Sequence, residues 1–210
     1  KLINAYCGNK KRNKEIVNLA IKQAELGKHI VIGSDRVKHC NKLAKMINKQ
    51  GVTAEAFHAK SDRKRVLKGA LSGKVKVVVA MRSMLTGINV PIWDTFFNIL
   101  PISNPPSYYQ QFSRIRTVIP SKKEAIIFDF IDEAGVCYGA FGKRRKQYEE
   151  QGFTVQKRLY LQQTPLEKSN LEHKENVSFW ERKRSNMMSN IKPFFVKPTK
   201  DGKEVANLFD

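Results

Sequence analysis

The chain has 210 residues, enough for one globular domain with a full core or for such a domain with a smaller appendage, and its 39 Lys and Arg against 19 Asp and Glu leave a formal charge of +20. That excess is spread along the chain, which favours a polyanionic partner such as nucleic acid over a solubilising surface, an acidic protein or a membrane face. No long apolar run or signal-like start is present, so a fragment of a soluble protein is expected; the isolated Cys7, Cys40 and Cys137 argue against a zinc site and a disulfide framework and for a reducing compartment.

Residues 13 to 26 place Ile16, Val17, Leu19, Ala20 and Ala24 at helical spacing, and Gly27 marks the stop. HIVIGSD, residues 29 to 35, reads as a strand, followed by a helical pattern through Val37, Leu43, Met46 and Ile47 that ends before Gly51. VTAEAF, 52 to 57, is the next strand, and residues 61 to 71 form a helix with Ser61 or Asp62 as its cap. KVKVVVAM, 74 to 81, is apolar on both faces and belongs inside a parallel sheet. DTFFNIL, 94 to 100, is a further strand, and after Pro105 and Pro106 a helix capped by Ser107 runs to about Arg116. EAIIFDFID, 124 to 132, is the last clear strand and a basic helix from 136 to 151 follows it. This alternation predicts an α/β domain with an open parallel sheet flanked by helices over residues 1–152. Residues 153–210 read as a basic, partly ordered extension, in which FTVQKRLYL is a possible strand and VSFWERKRSNMM a short helix.

In such a sheet ligands collect beyond the carboxyl ends of the strands. GSDR at 33 to 36, AMRSMLTGINVP at 80 to 91 and the helix of YYQQFSRIRT fall there. Gly87 is expected at a tight turn, with Thr86 and Asn89 either in ordinary turn roles or facing a ligand. Gln110, Ser113, Arg114 and Thr117 share one side of a continuous helix, where Arg114 either meets a polyphosphate or pairs with Asp94 or Asp129. Tyr108 and Tyr109 have a packing role open to them at the helix start.

The order of these stretches over residues 1–152 resembles the second RecA-like domain of superfamily 2 helicases, particularly viral and phage DNA helicases and fork-remodelling or annealing translocases. The last motif of that family, Gln-x-x-Gly-Arg-x-x-Arg, is matched by Gln110, by Ser113 for the glycine and by Arg114 for the first arginine, which in the family is an arginine finger on the γ-phosphate. Thr117 stands where the second arginine belongs, and Arg116 is one residue short of it, about 100° away on a helix. The preceding Gly-x-Asp motif is matched by Gly87 and by Asn89 in place of the acid, which keeps hydrogen bonding and loses the charge.

The resemblance implies that Gln110 and Arg114 are catalytic and that Gly87, Asn89 and Arg116 face the nucleotide. Met81 replaces a hydroxyl residue, which moves a nucleic-acid backbone contact to Arg82 or Ser83. It further implies backbone contacts from Ser34 and Arg36 in the first loop, and from His58, Lys60 and Arg63 in the next, His58 having a capping role as its alternative. No metal ligands are implied. A GxxxxGK[ST] phosphate loop and a DE-type magnesium motif are missing from the sequence. ATP and Mg2+ are therefore expected mainly on an N-terminal RecA-like domain of the same protein. The implied partner is DNA, with RNA possible and no membrane, and the implied location intracellular, in host cytoplasm or virion if the source is viral. A non-catalytic nucleic-acid-binding module with a degenerate helicase-like fold is the rival reading, supported by Asn89 and Thr117.

Overall fold

The computed structural model describes residues 2–101, 105–132, 135–157 and 191–198. Helix α1, Leu2–Gly8, precedes α2, Lys10–Glu25, whose first turn is capped by Asn9: its side-chain oxygen accepts from the Arg12 N–H at 3.0 Å. Strand β1, Ile30–Ser34, is buried throughout, and α3, Val37–Asn48, follows. Gly27 and Gly51 stand just past α2 and α3 with φ of 81° and 85°, the left-handed conformation that ends a helix with least strain in a residue lacking Cβ. Strand β2, Ala54–Phe57, leads to α4, Arg63–Leu71, where the carboxylate of Asp62 accepts from Arg65 N–H at 3.0 Å, one of the two expected caps. Strand β3, Val77–Met81, the short helix α5, Arg82–Leu85, and strand β4, Thr95–Asn98, complete this half.

Helix α6, Pro105–Phe112, is shorter than the sequence predicts. It gives way to a 3-10 turn at Ser113–Ile115, so Arg114 and Thr117 do not continue one α-helical face with Gln110. The cap expected from Ser107 rests on a side chain outside those described. Strand β5, Ile126–Asp132, helix α7, Gly135–Glu150, and strands β6, Phe153–Lys157, and β7, Ile191–Pro198, follow. The helix expected in VSFWERKRSNMM lies outside the described residues.

The strands lie in the order β2-β3-β1-β4-β5-β7-β6. The first five are mutually parallel, while β7 runs antiparallel between β5 and β6. The sheet therefore continues past Gly152 into the segment read as an extension. Its parallel part is covered on both faces as anticipated: Ile30, Ile32, Val77, Val79, Phe96, Phe97 and Ile127 are all fully buried. No helix among the described residues is long and apolar enough to cross a membrane.

A buried polar group fastens α6 and α7 to this sheet. Asp129, on β5, accepts from Arg144 Nε at 2.7 Å and Nη2 at 3.0 Å, from Asn98 Nδ2 at 2.8 Å and from the Tyr148 hydroxyl at 2.8 Å. Because the Tyr148 proton is committed to Asp129, the Tyr108 hydroxyl donates to Tyr148, which carries the network from α7 to α6. Asp129, Asn98, Tyr108 and Tyr148 are fully buried and Arg144 nearly so. Burial first, and then the Asp129 charge, pushes both phenols well above their ordinary pKa, so they stay protonated donors.

Candidate nucleotide and nucleic-acid site

The register of the parallel strands levels their carboxyl ends. Gly33 lies opposite Ala80 on one side and Asn98 on the other, and Ala80 lies opposite Phe57. The loops after β2, β3 and β1, which hold His58 and Lys60, Arg82 and Ser83, and Ser34 and Arg36, therefore emerge side by side at about 4.8 Å per strand. The chain after β4, leading to α6 and Arg114, leaves from the same edge. Topology thus gathers residues that are far apart in sequence.

Arg114 sits on the 3-10 turn and donates from Nη2 to the carbonyl oxygen of Thr86, at the start of the loop with Gly87 and Asn89. Neither Asp94 nor Asp129 pairs with it. Asp94 accepts from the His29 N–H at 3.1 Å and from the Thr95 hydroxyl at 2.8 Å, and Asp129 is taken up by Arg144. The Nε of Arg114 is buried without a hydrogen-bond partner among the described residues. A guanidinium with one buried donor idle, another on a neutral carbonyl and no carboxylate fits an incoming phosphate oxygen. Gln110 and Asn89 are exposed, and Ser113 Oγ donates to the Gln110 carbonyl at 3.0 Å.

The tight-turn expectation for Gly87 is corrected. Gly87 does not have a positive φ, and a Cβ there would meet nothing within 4 Å, so neither a tight turn nor a close approach requires glycine in this conformation. Arg116 donates from Nη1 to Gln151 Oε1 at 2.7 Å, just past the end of α7.

The loop residues divide into exposed and built-in ones. Arg36, Lys60, Arg63 and Ser83 are exposed. Ser34 is fully buried. Asn13 donates through Nδ2 to the Cys7 carbonyl at 2.9 Å, so its Oδ1 accepts from His39 Nε2 at 2.9 Å, and the Ser34 hydroxyl then donates to His39 Nδ1 at 2.9 Å. Burial, with Arg12 and Lys42 adding, pushes His39 down to about 4, so the ring is neutral and this proton order holds. His58 is similarly enclosed: Nδ1 accepts from the Lys60 N–H at 3.2 Å, leaving Nε2 to donate to Asn41 Oδ1 at 3.0 Å. Both Ser34 and His58 shape their loops from beneath.

Arg82 makes a two-pronged ion pair with Asp35, the groups' side chains being 14% and 22% exposed. Sequence spacing did not signal this acid, because the two loops meet only through the β1–β3 pairing. Lys122 was likewise missed as a site residue. Its ammonium donates to the carbonyls of Pro91 and Trp93 at 2.9 Å each and of Ile115 at 3.0 Å. Among the described residues no group of three or more His, Cys, Asp or Glu side chains gathers to hold a metal.

Residues 11–117, about half of the chain, match the family model described as the helicase conserved C-terminal domain. The chain is similar in structure to T4 UvsW, at 17% identity and a TM-score of 0.54 over 70% of this chain and 34% of that one. It is similar also to the C-terminal domain of the DEAD-box protein Dbp5, at 16% identity and a TM-score of 0.53 over 64% of this chain and 78% of that one. For the Pyrococcus furiosus Hef helicase domain the identity is 16% and the TM-score 0.50, over 63% of this chain and 27% of that one. No curated protein matches it. The structural likenesses establish a shared fold, and the chain spans only about a third of UvsW and about a quarter of the Hef domain. The family match together with the parallel sheet and its levelled loops leads to one conclusion: the chain belongs to the helicase conserved C-terminal domain family and has its RecA-like α/β fold.

Proposed function

We propose that the chain is the C-terminal half of an ATP-dependent DNA helicase or translocase in which Arg114 is the arginine finger and the loops after β1, β2 and β3 grip the nucleic-acid backbone. The observation that carries this reading is the state of Arg114: a guanidinium beside the Asn89 loop, held by a neutral carbonyl, with no acid paired to it among the described residues. ATP supplies the phosphoanhydride bond and Mg2+ neutralises its charge, both held mainly by an N-terminal RecA-like domain. Arg114 contributes a rigid fork of donors for phosphoryl oxygens where negative charge develops, and Gln110 and Asn89 orient the groups around it. Arg36, Lys60, Arg63 and Ser83 hold backbone phosphates on this domain while the other domain holds its own. Closing and opening of the pair then shifts one grip relative to the other.

The test is Arg114→Ala in the full-length protein, expected to cut turnover roughly 10³-fold while leaving nucleotide and DNA binding nearly intact. The 210-residue chain alone is expected to bind DNA and to hydrolyse no ATP. A second reading, a binding module without ATP function, draws on Arg116 being tied to Gln151 and on Thr117 in the second arginine's place; it predicts that Arg114→Ala changes nothing in turnover.

A further inference from the structure

The Lys122 ammonium has three protons, and each is given to a different backbone carbonyl: Pro91, Trp93 and Ile115, at 2.9, 2.9 and 3.0 Å. Those acceptors belong to two separate stretches of chain. Pro91 and Trp93 close the loop in which Gly87 and Asn89 lie, and Ile115 is the residue after Arg114 on the 3-10 turn. No carboxylate oxygen lies within ion-pair distance of this ammonium among the described residues; carbonyl dipoles hold it, and Asp94 favours its charge from further away. Burial lowers the Lys122 pKa from its ordinary value, in keeping with an ion enclosed by the fold.

The Asn89 loop and the Arg114 turn are also joined by Arg114 itself, through its bond to the Thr86 carbonyl. That bond is given up when Nη2 turns to a phosphate oxygen. The three Lys122 bonds run from its ammonium to backbone carbonyls and need not change when the arginine side chain moves.

We infer that Lys122 is a positioning residue: its ammonium fixes the spacing between the loop bearing Asn89 and the turn bearing Arg114, so that Arg114 can leave Thr86 while its own backbone stays in place. The inference rests on the proposed role of Arg114 for its catalytic consequence, and on the three carbonyl bonds for its structural one. A lysine suits the task because a compact ammonium sends its donors in three divergent directions, whereas the planar fork of arginine cannot converge on the same three oxygens from one point.

The experiment uses the full-length protein carrying Lys122→Met, which keeps the apolar stem, or Lys122→Ala. Amide hydrogen exchange is followed across the chain, and ATP turnover is measured with saturating single-stranded DNA. Lys122→Met is expected to speed exchange about tenfold or more in residues 86–93 and 113–117 while β1, β3 and β5 keep their protection. Turnover is expected to fall about 10²-fold with KM for ATP little changed, because a misplaced group costs chiefly in the transition state. Lys122→Ala opens a pocket of three carbonyls, and added ammonium chloride is expected to restore protection and turnover where tetramethylammonium chloride at equal ionic strength does not. Uniform loss of protection over all elements, unchanged exchange in either segment, or equal response to the two salts overturns the inference. Arg114→Ala run in parallel separates the two readings. Normal turnover in that variant, beside local loosening in Lys122→Met, removes the finger assignment and leaves the tether standing.

Discussion

Arg114 donates from Nη2 to the carbonyl of Thr86, 28 residues earlier in the chain, so its guanidinium rests on the Asn89 loop. Hydrogen bonds to ionised acceptors are roughly twice as strong as those to neutral ones, which makes this carbonyl an easily displaced partner for a phosphate-seeking arginine. Arg114→Lys is expected to recover little of the turnover lost in Arg114→Ala, because one ammonium cannot reproduce the planar fork. Arg116→Ala is expected to change turnover by less than about threefold, as Arg116 is engaged with Gln151. Steady-state ATPase rates of the full-length variants, with nucleotide affinities measured separately, check both. A loss in Arg116→Ala as deep as that in Arg114→Ala means that Arg116 leaves Gln151 to supply the arginine missing at Thr117.

The ion pair between Arg82 and Asp35 makes an electrostatic prediction. The logarithm of single-strand affinity falls with that of salt by about 0.7 for each phosphate neutralised. Arg36→Ala, Lys60→Ala and Arg63→Ala are each expected to reduce the slope by about that amount, since these side chains are exposed and follow strands whose ends are level. Arg82→Ala is expected to leave the slope unchanged, its charge being already met by Asp35, and Asp35→Asn to steepen it. Fluorescence anisotropy titrations across a salt series decide; an Arg82→Ala slope that drops as far as that of Arg63→Ala would show that DNA displaces Asp35. Parallel titrations with RNA of the same sequence measure the preference between the two.

Removing Asp129 strips a buried arginine of a carboxylate that takes two of its N–H donors, and takes an acceptor from Asn98 and Tyr148. Asp129→Ala is expected to cost about 3–5 kcal/mol of stability in urea unfolding of the 210-residue chain, the usual penalty for leaving one buried charge alone. Asp129→Leu combined with Arg144→Met is expected to recover much of that, because no uncompensated charge is left behind. A double variant no more stable than Asp129→Ala points instead to the shape of the network, through Tyr148 and Tyr108, as what holds α6 and α7.

His39 gives the chain a pH dependence of defined sign. Its folded pKa is about 4 against an ordinary 6.5, with burial as the main cause. At neutral pH both states hold a neutral ring and the shift contributes nothing. As pH falls from 6.5 towards 4 the unfolded chain takes up a proton that the folded one refuses, so stability is lost across that window, by roughly 3 kcal/mol at its lower end. His29, also lowered by burial, acts in the same direction. Urea midpoints measured down the pH range check this, and His39→Gln should flatten the profile without abolishing it.

Much of the parallel sheet was legible because each strand states its burial locally. Val77, Val78, Val79 and Ala80 are consecutive and all buried, and such a run has no other place in an α/β domain than a strand covered on both faces. The turn residues and the Asp62 cap are equally local, since a left-handed φ or a capping oxygen acts within a few residues. Strand β7 was hidden: Pro193 and Pro198 count against a strand when read alone, and only antiparallel partners on β5 and β6 make one of that segment. What tertiary structure decided was partnership. Asp35 neutralises Arg82 from 47 residues away, Gln151 draws off Arg116 from 35 residues away, and Lys122 reaches the Pro91 carbonyl across 31 residues. Periodicity reports which face of an element is buried, but a long side chain chooses among every donor and acceptor that folding brings within its reach, and that choice is made by the packed chain as a whole.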